Sequence, residues 1–203
     1  MSDEPMASSG QPDGFGAAVR AMFKRRARQT TTPAAARPST ITVKVVEDTH
    51  LFDGENGSTL WCGGYTPVDE DGSFMPISEH EASDPRCIYS NVAGVSHRPE
   101  ALQQKCFSPG EKISLRPEPT NAYDANAVAV WDDSGTVQLG YVPAALSGRV
   151  AEAFRNGKPL DGTVISEFRV GSKRGKRVGV HVLLAPLGEL RVSVSDAEGD
   201  SEE

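Results

Sequence analysis

The sequence predicts a mainly β domain, a small closed or nearly closed barrel with one or two helices and disordered termini. Short segments of alternating hydrophobicity, the turn-forming residues between them and one long amphipathic segment predict this fold class. Hydrophobic residues make up 37% of the 203 residues. This share is low for a fully globular chain and indicates that part of it is disordered.

The strands and helices follow from local patterns. The expected strands are residues 41–46, 92–96, 112–116, 127–131, 137–142, 163–170 and 178–184. Asp132, Asp133, Ser134 and Gly135 supply turn chemistry, so 127–131 and 137–142 form a hairpin. A helix is expected over 143–155, because Pro143 suits a first helical position. A shorter helical turn is expected near 100–105.

Charge is distributed unevenly along the chain. Residues 41–90 carry two Lys or Arg and ten Asp or Glu, whereas residues 91–191 carry thirteen and ten. A mildly basic region therefore lies between an acidic segment and an acidic C-terminus. The net charge of −7 argues against a protein that wraps nucleic acid by charge alone.

Two segments outside the strands have competing interpretations. Residues 15–28 form a basic amphipathic stretch, which is either an arm for nucleic acid, an acidic membrane or a partner groove, or a solubilising tail. Residues 29–40 form a flexible linker. The acidic residues 67–86 are a solvated loop, an element that covers the barrel edge, or a mimic of DNA that shields a basic face.

Residues 120–146 carry the most informative motif, TNAYDANAVAVWDDSGTVQLGYVPAAL. Its Asn and Asp side chains are of the type that holds turns through local hydrogen bonds. The order N-A-Y-D-A-N-A-V-A-V and then L-G-Y-V-P, after two strands, resembles the signature of the HIRAN domain family. The likeness covers about residues 91–186. It divides the chain into a disordered basic arm and linker (1–40), an acidic β and loop extension (41–90), a HIRAN-like barrel (91–190) and a disordered acidic tail (191–203).

The resemblance implies an OB-like barrel that binds single-stranded DNA and captures a free 3′ end in a pocket. OB-type barrels bind single strands through a basic groove and aromatic stacking. Asn121, Tyr123 and Asp124 match the turn that lines the pocket. Tyr123 would stack on a base, and Asp124 would accept a hydrogen bond from the 3′ hydroxyl. Asn126 would hold the turn. The alternative is structural, with Tyr123 plugging the barrel mouth and Asp124 capping a turn.

Other positions match the family in part. Tyr141 lies where the family often has His, and would stack or donate a hydrogen bond. His97 lies where DNA-binding members carry an aromatic residue. Ser96 and Ala144 replace an Arg and a Lys of those members, so two phosphate contacts are missing.

A basic hairpin tip offers replacements for these contacts. The corresponding hairpin of the family approaches DNA, and the tip here has four basic side chains: Lys173, Arg174, Lys176 and Arg177. Its alternative interpretation is a solvated turn.

The implied role is a non-catalytic module in DNA repair, replication or defence, with a separate helicase or nuclease as a candidate partner. The rival is a protein-interaction adaptor that keeps the barrel and has lost the DNA pocket. No Walker loop, G-x-S-x-G or H-E-x-x-H motif is present. Cys62, Cys87 and Cys106 lack the paired spacing of zinc sites, so no metal or cofactor is expected. With no apolar run long enough to cross a bilayer and no signal peptide, a cytoplasmic location is expected and no membrane partner.

Overall fold

The computed structural model of the protein describes residues 40–53 and 59–195. The strands are β1 (Ile41–Asp53), β2 (Thr59–Pro67), β3 (Ile88–Asn91), β4 (Lys112–Pro117), β5 (Val128–Asp132), β6 (Gln138–Tyr141), β7 (Leu160–Val170), β8 (Arg177–Pro186) and β9 (Leu190–Val194). The α-helices of these residues are α1 (Ile77–Ser83), α2 (Pro99–Leu102) and α3 (Ala144–Arg155), with 3-10 turns at Val95–His97 and Lys105–Phe107. The predicted basic arm, most of the linker and residues 196–203 lie outside the described residues.

The strands form one sheet in the order β6-β5-β4-β7-β2-β1-β9, and β8 pairs with both β7 and β3. All pairs are antiparallel except β1 with β9, which is parallel. The mainly β prediction is confirmed. Within the described residues the strand ladders do not close into a barrel. One antiparallel bridge, with N–H to O distances of 2.8 and 2.9 Å between Ala93 and Tyr141, links the end of β3 to the edge strand β6.

Gly140 makes this bridge possible. A Cβ at this position would lie 2.3 Å from the Ala93 carbonyl oxygen and 2.8 Å from a methyl carbon of Val92. Both distances are far below a normal contact, so any larger residue would push the two strands apart. The glycine of the L-G-Y-V-P motif therefore lets the chain after β3 approach β6.

Helix α3 covers one side of the main core. Pro143 precedes its first turn, and Val150 is fully buried against the sheet together with Phe107 and Leu139. Burying such side chains stabilises the fold by about 1.5–3 kcal/mol each. Gly157, with a φ of 69°, follows the C-terminal end as left-handed glycines commonly do. The predicted helix and both predicted hairpins are confirmed.

Three expectations were wrong in detail. The first barrel strand is Ile88–Asn91, not residues 92–96, because Gly94 adopts a φ of 75° and starts a 3-10 turn. The acidic segment 67–86 is not all loop, since it contains α1. Residues 191–194, expected in the disordered tail, belong to β9, which pairs with β1 beside a second core cluster of Val43, Val45 and Leu183.

Candidate nucleic-acid interface

The turn between β4 and β5 is built by the side chain of Asn121. Its Oδ1 accepts hydrogen bonds from the backbone N–H groups of Tyr123 at 3.0 Å and Asp124 at 3.4 Å. Its Nδ2 donates to Glu118 Oε2 at 3.0 Å. Asparagine supplies an acceptor and two donors in one short side chain, so it can hold both limbs of a turn. The backbone that carries Tyr123 and Asp124 is therefore fixed.

Asp124 connects the turn to helix α3. Its Oδ1 accepts a hydrogen bond from the Asn126 N–H at 2.8 Å, and its Oδ2 accepts one from Ser147 Oγ at 3.0 Å. Asn126 in turn accepts a hydrogen bond from Arg155 Nη1 at 3.1 Å. An ionised carboxylate has about four lone-pair sites. Asp124 therefore has a structural role and keeps acceptor capacity for a ligand.

Tyr123 projects into solvent from this fixed turn. Its relative exposure is 99%, so the ring does not plug the barrel mouth, which was the structural alternative for this residue. Tyrosine is a residue of intermediate burial in most folds. A fully exposed ring on a hydrogen-bonded turn is arranged as a platform that a planar group could stack on.

Tyr141 lies beside the turn on β6. Its hydroxyl donates to Glu118 Oε2 at 3.2 Å, so Glu118 joins Tyr141 to Asn121. The guanidinium carbon of Arg98 lies 6.0 Å from the centre of the Tyr141 ring, within the range of a cation–π contact. His97 is exposed in the 3-10 turn that precedes Arg98. The structure thus brings together Arg98, Tyr141 and the Asn121 turn, with His97 next to Arg98 in the chain, and we call these residues the turn patch.

Two charged residues of this patch were missed by sequence reasoning. Arg98 directly follows His97 in the sequence, and only the fold shows that it faces Tyr141. Glu118 places a negative charge between Asn121 and Tyr141. A carboxylate here opposes an approaching phosphate, whereas Arg98 attracts one. The sequence alone does not show that Arg98 and Glu118 lie beside Tyr141, because the fold brings these distant segments together.

The basic hairpin tip lies at the end of β7 that is far from the Asn121 turn. Lys112 lies opposite Thr163 and Ser114 opposite Asp161, so β4 runs toward the turn patch and away from the tip. The tip begins at Gly171, eight residues beyond Thr163, which is about 26 Å of strand. The tip is therefore remote from the Asn121 turn along β7, and its replacement of the phosphate contacts that Ser96 and Ala144 lack stays a prediction.

Arg177 is not part of the exposed tip, contrary to expectation. Its side chain is 2% exposed, and Nη2 pairs with Glu167 Oε2 at 2.6 Å. Its Nη1 donates to the carbonyls of Leu102 at 2.8 Å and Gln104 at 3.0 Å. Arg177 thus ties β8 to the chain after α2 and cannot reach a ligand in solvent.

The other basic residues of the tip are exposed. These are Lys173, Arg174 and Lys176. Lys173 lines two shallow depressions together with Trp61 of β2, which is partly exposed. Carboxylates of Glu47, Asp48 and Glu167 also line the first depression, whereas no carboxylate of the described residues lines the second. An aromatic ring beside basic side chains is a common arrangement for single-stranded nucleic acid. The glycine-rich sequence around Trp61 did not predict that Trp61 would lie beside Lys173, because β2 pairs with β7, a strand about 100 residues later in the chain.

The cysteines and carboxylates that suggested other chemistry have ordinary surroundings. All three cysteines are free, and burial raises the pKa of the Cys87 thiol to about 11. Among the described residues, no group of three or more His, Cys, Asp or Glu side chains is placed to hold a metal ion. Glu167 is engaged by Arg169 at 2.6 Å. No helix of residues 40–53 and 59–195 has the length and apolar character of a membrane span.

About half of this chain resembles proteins of known structure. Three solved structures are similar to this chain. A Lactobacillus plantarum protein is 20% identical, with 49% of this chain and 96% of that chain covered and a TM-score of 0.39. The crystal structure of the HIRAN domain of human HLTF is 22% identical, with coverage of 51% and 78% and a TM-score of 0.36. The NMR structure of the HLTF HIRAN domain is 21% identical, with coverage of 51% and 82% and a TM-score of 0.32.

No curated protein matches the chain. Residues 85–185, about half of the chain, match the family model of the HIRAN domain. This family is known as a nucleic-acid-binding module with an OB-like fold, and in its members the domain binds rather than catalyses. The chain that carries the Asn121 turn, the Gly140 bridge and the two hairpins therefore belongs to the HIRAN domain family.

Proposed function

We propose that this protein binds single-stranded DNA and recognises its 3′ end at the turn patch. The observation that carries the proposal is the 99% exposure of Tyr123 on a turn fixed by Asn121 and Asp124. In this arrangement the terminal base stacks on the Tyr123 ring. The 3′ hydroxyl donates a hydrogen bond to Asp124, which an internal phosphodiester cannot do.

The fixed turn supports this role energetically. Because Asn121, Asp124 and Asn126 already hold the backbone in hydrogen bonds of 2.8–3.4 Å, little conformational freedom is lost when DNA binds. Base stacking on an aromatic side chain contributes about 1–3 kcal/mol per base. A single platform gives weak binding by itself, so further contacts along the strand are required.

Arg98 and Tyr141 supply the next contacts in this proposal. The guanidinium carbon of Arg98 lies 6.0 Å from the Tyr141 ring centre. In this proposal Arg98 binds the terminal phosphodiester, in place of the Arg that DNA-binding members of the family have at the position of Ser96. His97 is exposed beside it and adds a second ring. Glu118 limits the affinity, because its charge lies on the same patch.

The hairpin tip contacts a more distant part of the strand. Lys173, Arg174 and Lys176 are exposed, and Lys173 shares with Trp61 a depression that no carboxylate in the described part of the chain lines. Because the tip lies at the opposite end of β7, only an oligonucleotide long enough to span the sheet engages both regions. Short oligonucleotides would report on the turn patch alone.

Fluorescence anisotropy with labelled single strands tests the proposal. Strands that end in a 3′ hydroxyl, a 3′ phosphate or a 3′ deoxy group are compared at low and moderate salt. We expect only the hydroxyl form to bind tightly, and Asp124→Asn to remove that preference. Ser147→Ala is the matched control, because it removes the 3.0 Å hydrogen bond to Asp124 but keeps the carboxylate.

Equal binding of all three ends would refute 3′-end recognition and leave a general single-strand binder. No binding by the folded protein would refute the DNA proposal and favour a protein-interaction adaptor, the alternative that the acidic groups at Glu118 and along residues 41–90 support. Roles in repair, replication or defence, a helicase or nuclease partner and a cytoplasmic location stay predictions.

A further inference from the structure

A second surface, which the DNA proposal does not use, lies on the face of β1, β2, β7 and β8. It is a cavity of about 320 Å³ with a largely apolar lining. Side chains from the sheet, from the first turn of α1 and from the segment before it surround the cavity: Phe52, Phe74, Ile77, Tyr89, Phe168 and His181. We call this surface the apolar cleft.

The floor of the apolar cleft is set by strand register. His50 lies opposite Cys62, and Cys62 lies opposite Phe168, whose ring centre is 4.6 Å from that of His181. Gly64 lies in the neighbouring row with a φ of 152°. A Cβ there would come within 2.2 Å of the Ile165 carbonyl oxygen, so only glycine fits. Gly64 therefore lets β2 and β7 approach closely, and it adds no side chain to the lining of the cleft.

Exposed apolar groups continue the cleft outward. Phe74 is 65% exposed at its rim, and Phe52 on β1 is 48% exposed beside it. Scattered apolar residues on a surface need no explanation, but contiguous ones beside a concave apolar site mark an interaction surface. The cleft and its rim thus have the character of a binding pocket for a large apolar side chain.

Within residues 40–53 and 59–195, no strand pairs with the outer half of β1 on its side away from β2, next to this cleft. The Lys44 carbonyl accepts a hydrogen bond from the Val68 N–H at 3.0 Å, whereas the Val45 carbonyl accepts one from the Ser195 N–H at 2.8 Å. Backbone groups alternate in direction along a strand. The N–H and C=O groups of Glu47, Thr49 and Leu51 therefore point away from β2, beyond the last described residue of β9. The Thr49 N–H donates to Asp48 Oδ1 at 2.7 Å, a hydrogen bond that an added strand would replace.

Charge decides what kind of ligand this edge accepts. Glu47, Asp48 and Asp53 lie on the unpaired half of β1, which carries no Lys or Arg. Among the described residues, no Lys or Arg pairs with any of these carboxylates, and Asp48 contacts His50 at 2.6 Å. A nucleic acid would be repelled here, whereas a basic peptide would be attracted.

We propose that the β1 edge and the apolar cleft together bind an extended, basic segment of a partner protein. The segment adds as a strand along Glu47, Thr49 and Leu51, about 4.8 Å from β1. Its alternate side chains then face the same side of the sheet as His50 and Phe52. One large apolar side chain enters the cleft, and flanking Lys or Arg side chains face the carboxylates.

The test uses the full chain and a synthetic ten-residue peptide that alternates Arg or Lys with Val and has one central Phe. Binding is measured by anisotropy of a labelled peptide. Strand addition uses the N–H of every second peptide residue. N-methylation of two amides in the set that faces β1 should therefore weaken binding about tenfold, whereas N-methylation of two amides in the other set should leave binding unchanged. This readout does not depend on the folding of any variant.

Protein variants test the cleft separately. Phe74→Asp should weaken peptide binding about tenfold or more, since it places a charge where the apolar anchor packs. Leu187→Asp is the matched control, because Leu187 is 60% exposed outside the cleft, and it should bind the peptide like the wild type.

Three outcomes would overturn the proposal. Equal effects of the two sets of N-methyl groups would show that the peptide binds without strand addition, and an equal loss in Leu187→Asp would show that the loss in Phe74→Asp does not come from the apolar cleft. Sedimentation showing a concentration-dependent dimer that Thr49→Pro abolishes would assign the edge to a second copy of this chain instead.

Discussion

Replacing Tyr123 by alanine removes a side chain that is 99% exposed and whose backbone N–H is held by Asn121 at 3.0 Å. Because the ring packs against nothing in the core, we expect the free energy of unfolding to change by less than about 0.5 kcal/mol. If the ring stacks on a base, its loss costs about 1–3 kcal/mol of binding free energy. At about 1.4 kcal/mol per tenfold, the Kd for a strand with a 3′ hydroxyl should rise about 5- to 150-fold.

Anisotropy titration measures the Kd for DNA, and urea unfolding measures the free energy of unfolding of the same preparations. Tyr123→Phe keeps the ring and should bind like the wild type. Phe74→Ala is a control of similar kind, because Phe74 is 65% exposed and lies outside the turn patch. The reasoning is refuted if Tyr123→Ala stays folded and binds within about twofold of the wild type.

Three further predictions concern charge and stability. Glu118→Gln should raise DNA affinity about three- to tenfold at low salt, with the gain disappearing at high salt, because it removes a negative charge beside Tyr141 but keeps an acceptor. Arg177→Met should lower the free energy of unfolding by about 3 kcal/mol, since it leaves Glu167 in a buried site without this partner; Lys173→Met should change it by less than about 0.5 kcal/mol. Burial raises the pKa of Asp132, but hydrogen bonds from Ser134, Thr136 and Val137 outweigh it and hold this pKa below its usual value. Its stabilisation is therefore present above the unfolded pKa near 4 and is lost as pH falls through the lower folded pKa. The stability difference from Asp132→Asn, measured by urea unfolding, should be largest at neutral pH and shrink below about pH 4.

Local patterns were sufficient to predict the hairpins and the long helix. The β5–β6 pair is joined by a turn in which Asp132 accepts hydrogen bonds from the Thr136 and Val137 N–H groups at 2.7 and 2.8 Å. Residue types alone indicate such a turn. Helix α3 combines Pro143 at its start with apolar residues at helical spacing, and both signals act within a few residues.

Features that depend on distant parts of the chain could not be predicted. The pairing of β9 with β1 joins residues about 150 positions apart, and the short acidic context of β9 looks disordered by composition. Arg177 belongs to a basic run that is typical of an exposed turn. The register of β8 against β7 points the Arg177 side chain toward Glu167. The carboxylate of Glu167 offsets the cost of burying the guanidinium of Arg177.

The separation of the turn patch from the hairpin tip determines how DNA binding should depend on salt. At the turn patch, Arg98 and Glu118 nearly cancel in charge, so recognition there rests on stacking and on one hydrogen bond. A strand short enough to reach only this patch should give a slope of log K against log salt of about −0.7 to −1.4, as for one or two phosphate contacts. A longer strand that also engages Lys173, Arg174 and Lys176 should add about −2 to that slope. If the slope does not change with strand length, the tip stays in solvent, and the turn patch alone must account for whatever affinity is measured.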